Sequence, residues 1–506
     1  MMAKILLCRG AEETTWWQMF EQELPRLQNM GFTQAWLPPP NKGMTKDGRG
    51  YDAYDLWDLG EFNQKDGIAT RWGDKEQLLK ASQTAKEHGI GMIIDAVLNH
   101  KLGADRVEVF KAVEVDPQDR NVIKGPVKEI EGWTAYDFPG RGTKLPGVDW
   151  DHRSRTEGIF RIEGKGKKGW SKRVDKENGN YDYLLGRCTT FIDHRHPDVR
   201  NDFLSWGPWV LETVGSNGFR LDAIKHMDRK FVLEFVCVQV RNARKHGHRD
   251  LFVVAECWSD NYVKIKRYIQ ALQGEVSFFD VPLHYNFYRA GHEGPTYDLR
   301  KILDNTIVQN RPGDAVTFVD NHESQVGQTL ESWVEGRFKL QAYALILLRI
   351  QGYPCVFYGD LYPCSFYDPD IGRVLKDLIR CRRQYAYGPQ TDYIASSPHH
   401  DLVGFTREGL DTRPNSGCAV LLSNGVRSTV QANDQSSINR EDTEGGMVSL
   451  KMNLGKRNSN KVFRNVLGDL GGIKTDEQGW GIFRCLPGQA AVWVSAESIQ
   501  DNTQAI

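Results

Sequence analysis

Short apolar runs that end on polar residues alternate along this chain with stretches whose apolar positions recur every three or four residues. The runs at 4–8, 33–40, 90–95, 218–222, 251–256, 276–280, 315–319 and 354–357 have the length and bounds of buried strands. Trp17, Phe20, Leu24, Leu27 and Met30 mark one face of a helix between the first two. Gln77 to His88 reads as a second helix, with Gly89 as its C-terminal stop, and 196–215 as a third. A strand–helix alternation of this kind builds a parallel sheet. Eight such strands predict a (β/α)8 TIM barrel, whose functional residues gather at the C-terminal strand ends.

The rhythm breaks twice. Residues 101–195 are rich in Gly, Lys, Asp and Trp and show no clean period, which predicts an inserted domain after the third strand. After Gly388 the texture turns to short alternating strands at 402–406, 418–423, 462–467 and 491–496, which predicts a small antiparallel β-sandwich. The predicted organisation is a barrel over 1–100 and 196–390, an inserted domain over 101–195, a C-terminal sandwich over 391–497 and a polar tail over 498–506. There are no internal repeats and no long low-complexity tract.

Composition narrows the function classes. Hydrophobic residues make up 40% of 506 residues, enough for a large core. The formal net charge of −1 comes without a dominant basic stretch, which argues against nucleic acid or an anionic membrane as the main partner. No partner protein is implied. No run reaches the roughly 18 apolar residues of a membrane span. The N-terminal run of MMAKILLCRG is too short for a secretory leader. Nine scattered cysteines show no C-x-x-C pair, and even Cys355 and Cys364 carry no metal signature. These features predict a cytoplasmic protein with reduced thiols and no membrane contact.

The candidate chemistry lies at four predicted strand ends. GFRLDAIKH (218–226) presents Arg220 and Asp222 two residues apart, hence on one face of a strand. A guanidinium beside a carboxylate favours its charged form and fixes its orientation, which suits a nucleophile. FVVAECW (252–258) ends on Glu256, where an apolar approach would raise the carboxyl's pKa into an acid's working range. TFVDNHES (317–324) brings His322 and Glu323, and GMIIDAVLNH (91–100) brings Asp95, Asn99 and His100. Four strand ends closing on polar residues imply one shared rim.

In this order the four stretches resemble the signature regions of the α-amylase family of glycoside hydrolases. GYDAYDLWDLGEF (50–62), NGNYDYL (178–184), FDVPLHYNF (279–287), VFYGD (356–360) and RRQYAYG (382–388) extend the likeness over nearly the whole chain. It is strongest to the liquefying bacterial amylases and their intracellular fungal relatives. The resemblance implies that Asp222 is the nucleophile and Glu256 the acid/base. Glu323 takes the place of a third carboxylate that binds the sugar's 2- and 3-hydroxyls. The family has Asp there. The added methylene lengthens the arm by about 1.5 Å, and displacements of about 1 Å at a catalytic site can cost ~100-fold. A slow enzyme, or a locally adjusted backbone, is therefore expected. By the same resemblance Tyr51 is a stacking platform, and His100 and His322 bind the sugar at the cleavage point. Lys225 and His226 lie on the leaving-group side, and Trp258 lines the cleft.

The resemblance also implies one Ca²⁺ held by Asn99, Asp182 and the His226 carbonyl, and hard oxygen donors suit that ion. The following LGRCTTFID (185–193) offers Cys188, a poor calcium ligand, where relatives place an Asp, although Asp193 lies nearby. Asp149 of GVDWD fits the further metal cluster of the liquefying enzymes, but Ser171 falls where that cluster needs an Asp. One calcium and no extended cluster is the expectation. The implied activity is retaining hydrolysis of internal α-1,4 bonds in an α-glucan such as starch or glycogen. A 4-α-glucanotransferase would use the same chemistry, and a catalytically silent glucan binder is the alternative outside catalysis.

Overall fold

The computed structural model describes residues 1–4, 14–115, 122–151, 160–162, 169–171, 190–194, 196–245, 251–362, 369–394, 400–426 and 446–497. Eight parallel strands close a barrel: β1 (Met2–Lys4), β2 (Gln34–Trp36), β3 (Gly91–Ala96), β4 (Gly218–Leu221), β5 (Phe252–Ala255), β6 (Ser277–Phe279), β7 (Ala315–Phe318) and β8 (Tyr353–Phe357). Each strand pairs with its neighbours in chain order, and β8 pairs back onto β1. Seven fall on predicted runs, and the first shares only Lys4 with its run. The first begins two residues earlier than expected, at Met2, and 5–8 of its predicted run lies outside the described residues.

Helices α1 (Trp16–Met30), α2 (Lys75–Glu87), α3 (Pro197–Val214), α4 (Arg229–Lys245) and α5 (Tyr262–Ala271) pack outside. The face of α1 predicted from its spacing is buried: Trp17, Phe20, Leu24 and Leu27 are all fully enclosed. Each such side chain contributes about 1.5–3 kcal/mol relative to exposure. A capping box of Thr15 and Gln18 starts α1, and Gly31, at φ 84°, ends it in the left-handed region. Helix α2 is framed alike, by Asp74 with Gln77 at its start and Gly89, at φ 65°, beyond its end.

Between β3 and α3 the chain builds two small antiparallel sheets. One joins strand 169–171 to a long ribbon, Arg106–Val115 against Ile123–Ala135. The other runs 100–101, 190–192, 160–162 in order. The ribbon was not anticipated, since Val107, Val109 and Trp133 are exposed and no buried face marks the alternation. Arg141 ties this insertion to the barrel loops: it is fully buried and its Nε donates to Asp55 at 2.8 Å.

The C-terminal part holds a six-stranded antiparallel sheet and a two-stranded one. Leu402, Leu421 and Trp493 from the first pack with Val448, Met452 and Phe483 from the second in one core. Strands 390–394, 448–453, 472–474 and 480–485 join the four that the sequence predicted. The polar tail from 498 lies outside the described residues. No helix among the described residues is long and apolar enough to cross a membrane.

Candidate active site

Strands β3, β4 and β5 are neighbours, and register sets Asp95 directly opposite Arg220. The ladder continues one step past the strands: Asp222 N–H donates to the Ala96 carbonyl at 3.2 Å and Glu256 N–H to the Leu221 carbonyl at 3.0 Å. That step puts Asp222 and Glu256 side by side at the barrel mouth. Arg220, only 1% exposed, lies beneath them. Its Nη1 donates to Asp95 at 2.8 Å and to Asp222 at 2.5 Å, and its Nη2 donates to Glu256. Ala223 adopts φ 46°, a left-handed conformation uncommon for a residue with a Cβ. There its N–H reaches Glu256 Oε2 at 3.4 Å.

Glu323 comes from the far side of the mouth, after β7. Its own N–H donates to Asn321 Oδ1 at 2.8 Å, which shapes the turn that aims it inward. One carboxylate oxygen each from Asp222, Glu256 and Glu323 lie within 4.8 Å of one another. Such closeness is compatible with double displacement across a glycosidic bond, for which the two carboxyls stand about 5–5.5 Å apart. The three could also hold a cation.

Crowded acids cannot all ionise together. Burial pushes the Glu256 carboxyl up to about 7, against the pull of Arg220 and with the push of Asp222. Burial also raises Glu323, to about 8, with Glu256 and Asp222 adding repulsion. The apolar approach of β5 thus has the effect on Glu256 that the sequence suggested.

Other predicted site residues surround this centre. The Tyr51 ring stacks on His322, with centroids 5.3 Å apart and planes at 12°, while its hydroxyl donates to Asp95 at 2.7 Å. His100 Nε2 lies 2.7 Å from the Tyr51 carbonyl, so it carries the proton and donates. His322 Nε2 is 3.9 Å from Glu323. Lys225 donates to the Trp258 carbonyl at 3.2 Å. Trp258 is 8% exposed, with its indole N–H on the Tyr285 hydroxyl at 3.0 Å, so it is a wall rather than an open platform.

Residues 17–363 match the family described as alpha amylase, catalytic domain. The chain belongs to the alpha-amylase family. It is 40% identical over 495 residues to the alpha-amylase of Geobacillus stearothermophilus, covering 96% of this chain and 84% of that protein. It is 37% identical over 507 residues to the cytoplasmic alpha-amylase of Escherichia coli, covering 96% of each. Among solved structures, the alpha-amylase of Geobacillus thermoleovorans complexed with acarbose superposes with a TM-score of 0.63 at 16% identity, over 98% of this chain and 97% of that one. That last likeness speaks to the fold alone.

Within this alpha-amylase family member, the predicted metal ligands are only partly in view. Asn99, Asp193 and His226 are buried at the mouths of β3 and β4. The Ile192 N–H donates to the Asn99 carbonyl at 3.1 Å, which brings the start of Asp193 alongside. Asp182 and Cys188 lie outside the described residues. Asp149 is exposed, and the charges that act on it are Arg141, Asp137, Asp55 and Asp105, none of them a predicted ligand.

Four residues escaped the functional reading of the sequence. Asp95 was noted but given no role, yet it accepts from Arg220, Tyr51 and, at 3.0 Å, the Trp36 indole. Its position two after Ile93 on the barrel-facing side of β3 was the available signal. Asp320, Lys339 and Asp360 form a fully buried ion triad under the His322–Glu323 turn, with Lys339 Nζ at 2.7 and 2.9 Å from the two acids. Lone charges in apolar text, as in FKLQAYALILL (338–348), are the clue for such a group.

Proposed function

We propose that this chain is an alpha-amylase-type retaining glycoside hydrolase that cleaves internal α-1,4 bonds of α-glucans. The observation that carries the reading is the spacing of three carboxyl oxygens within 4.8 Å of one another over a buried guanidinium. Asp222 attacks C1 of the sugar as the C1–O4 bond breaks, and Glu256 gives its proton to the departing O4. Glu256, now ionised, takes a proton from water as that water attacks C1 and frees Asp222. Arg220 holds both carboxylates in place, and Glu323 engages the sugar hydroxyls. The Tyr51–His322 stack, His100, Lys225, His226 and Trp258 line the groove around that sugar.

The relatives' printed names, alpha-amylase and cytoplasmic alpha-amylase, support both the activity and a cytoplasmic location. One Ca²⁺ held by Asn99, Asp182 and the His226 carbonyl, with Asp193 as a further donor, fits the buried hard oxygens at that edge. Bound there, it would tie the insertion to the barrel. Chelation should lower the melting temperature, and calcium should restore it. Asp149, which is exposed, is not needed for this one site.

Incubation with maltoheptaose, followed by resolution of the products, tests the function. Shorter sugars alone support hydrolysis. Sugars longer than seven units would show that a second glucan competes with water for the intermediate, as in a 4-α-glucanotransferase. Unchanged substrate under all conditions would overturn the reading in favour of a silent binder.

A further inference from the structure

Beside the carboxylate centre, between the start of α4 and the length of α5, lies a cavity of about 780 Å³ that shares its inner wall with the proposed groove and has an outer wall that the hydrolytic mechanism does not use. Its inner wall is continuous with the site: Lys225 and His226 follow Asp222, and Cys257 and Trp258 follow Glu256. Its outer wall is cationic. Arg229, Lys230, Lys264 and Arg267 join Lys225 around the opening. All four outer cations are exposed, and none has an acidic partner within ion-pair distance among the described residues. The one acid on the lining, Asp228, is already engaged. Its Oδ1 accepts the backbone N–H groups of Lys230 and Phe231 at 2.8 and 2.9 Å.

In a chain of net charge −1, five cations around one cavity are a local concentration rather than an average. Neutral sugar hydroxyls are held by mixed donors and acceptors, whereas this rim offers almost only donors. Ammonium and guanidinium groups gathered on one wall are the donors that recognise a phosphate. Trp258 closes one wall, and Arg229 sits 5.6 Å over the Tyr268 ring, which holds that guanidinium at the rim. The volume lies in the range of small-molecule pockets and holds one or two sugar rings, not a helical polyanion.

We infer that this cavity binds a phosphate monoester carried on a sugar, on the leaving-group side of the cleavage point. Two sources share that chemistry: a phosphorylated glucosyl unit of the α-glucan itself, and a free hexose phosphate. The inference rests on the hydrolase reading for the orientation of the chain, but not for the existence of the anion site.

The test compares wild type with the double variant Lys264→Gln/Arg267→Gln, two exposed positions outside the catalytic centre. Phosphorylated maltooligosaccharides and the same preparation after phosphatase treatment serve as substrates, and glucose 6-phosphate serves as the free ligand. Losing two charge-assisted contacts should cost about tenfold or more. In wild type, kcat/KM should favour the phosphorylated chains by about that factor. The preference should vanish in the double variant, while cleavage of dephosphorylated chains is unchanged. If the source is the free sugar, glucose 6-phosphate should alter maltoheptaose turnover in wild type and not in the variant. Equal kcat/KM for both preparations in wild type, together with no effect of glucose 6-phosphate, overturns the inference. A preference that survives in the double variant overturns it too. Should maltoheptaose not be cleaved at all, the hydrolase reading fails separately. Calorimetric titration with glucose 6-phosphate then decides on the site: binding lost in the variant supports it, and no binding to wild type refutes it.

Discussion

Arg220 donates through Nη1 to Asp222 at 2.5 Å, two residues along the chain and just past the end of β4. The pair is held from below, because the same nitrogen also reaches Asp95 at 2.8 Å. Replacing Asp222 by Asn removes the proposed nucleophile but leaves Arg220 bonded to Asp95 and Glu256. Turnover of maltoheptaose should fall by on the order of 10⁴-fold or more, with the melting temperature changed by only a few degrees. Single-turnover kinetics and a thermal melt measure the two. Residual activity within tenfold of wild type would contradict the assignment.

Glu256 titrates near 7 because it is buried, and must be protonated to act first as an acid. The proton is present below that value and lost above it. The rate should therefore fall on the alkaline side of neutrality, approaching tenfold per pH unit. Folding stability has the same sign. Glu256 and Glu323 both have folded values raised above the ordinary carboxyl range. The folded chain therefore holds more protons than the unfolded one between about 4.5 and 8. Their contribution to stability is full below about 4.5 and lost as pH rises through 7–8. Profiles of kcat/KM and of melting temperature from pH 5 to 9 read both, and a rate that stays flat through pH 9 would refute the acid's identity.

Glu323 reaches the cluster on an arm one methylene longer than the family's Asp. Its crowding against Glu256 and Asp222 helps raise it to about 8, so near neutrality it tends to carry a proton. A protonated third group gives up the charge that should steady the sugar. Glu323→Asp draws the carboxyl back and should raise kcat on maltoheptaose several-fold at pH 7. Glu323→Gln, a neutral isostere of the protonated acid, should change kcat at pH 7 by no more than a few-fold. A slower Asp variant would show that the longer arm is matched to its surroundings.

Lys339 is enclosed between Asp320 and Asp360. Lys339→Met leaves two buried carboxylates without their cation. It should cost about 3–5 kcal/mol of unfolding free energy, measured by denaturant titration. Ser324 Oγ donates to Asp320 at 2.7 Å, so the turn carrying His322 and Glu323 should loosen as well. KM for maltoheptaose would then rise in protein that is still folded. Unchanged stability would mean that the triad is dispensable.

The barrel was legible because strands buried on both faces read as unbroken apolar runs, and because each run ends where solvent and chemistry begin. Asp222, Glu256 and Glu323 were found at those ends. What escaped notice lacked that contrast. The ribbon of 106–115 and 123–135 keeps Val109, Val127 and Trp133 exposed, so its alternation did not mark an inside. Asp95 and Lys339 sit inside apolar text as single charges, and only their partners across the fold, Arg220 and Asp320, give them meaning. The anion pocket was invisible for a related reason. Arg229 and Lys230 lie on one helix and Lys264 and Arg267 on the next, more than thirty residues along the chain, so only the fold brings them to one cavity.

The order of strands around the barrel gives Glu323 an unusual freedom. The bond-making pair stands on adjacent staves, β4 and β5, whereas Glu323 leans in from β7, with β6 intervening. The length of its arm therefore leaves the backbone spacing of the pair, set by β4 and β5, untouched. Evolution can tune the grip on the sugar, and with it the pace of turnover, as a dial separate from the scissors.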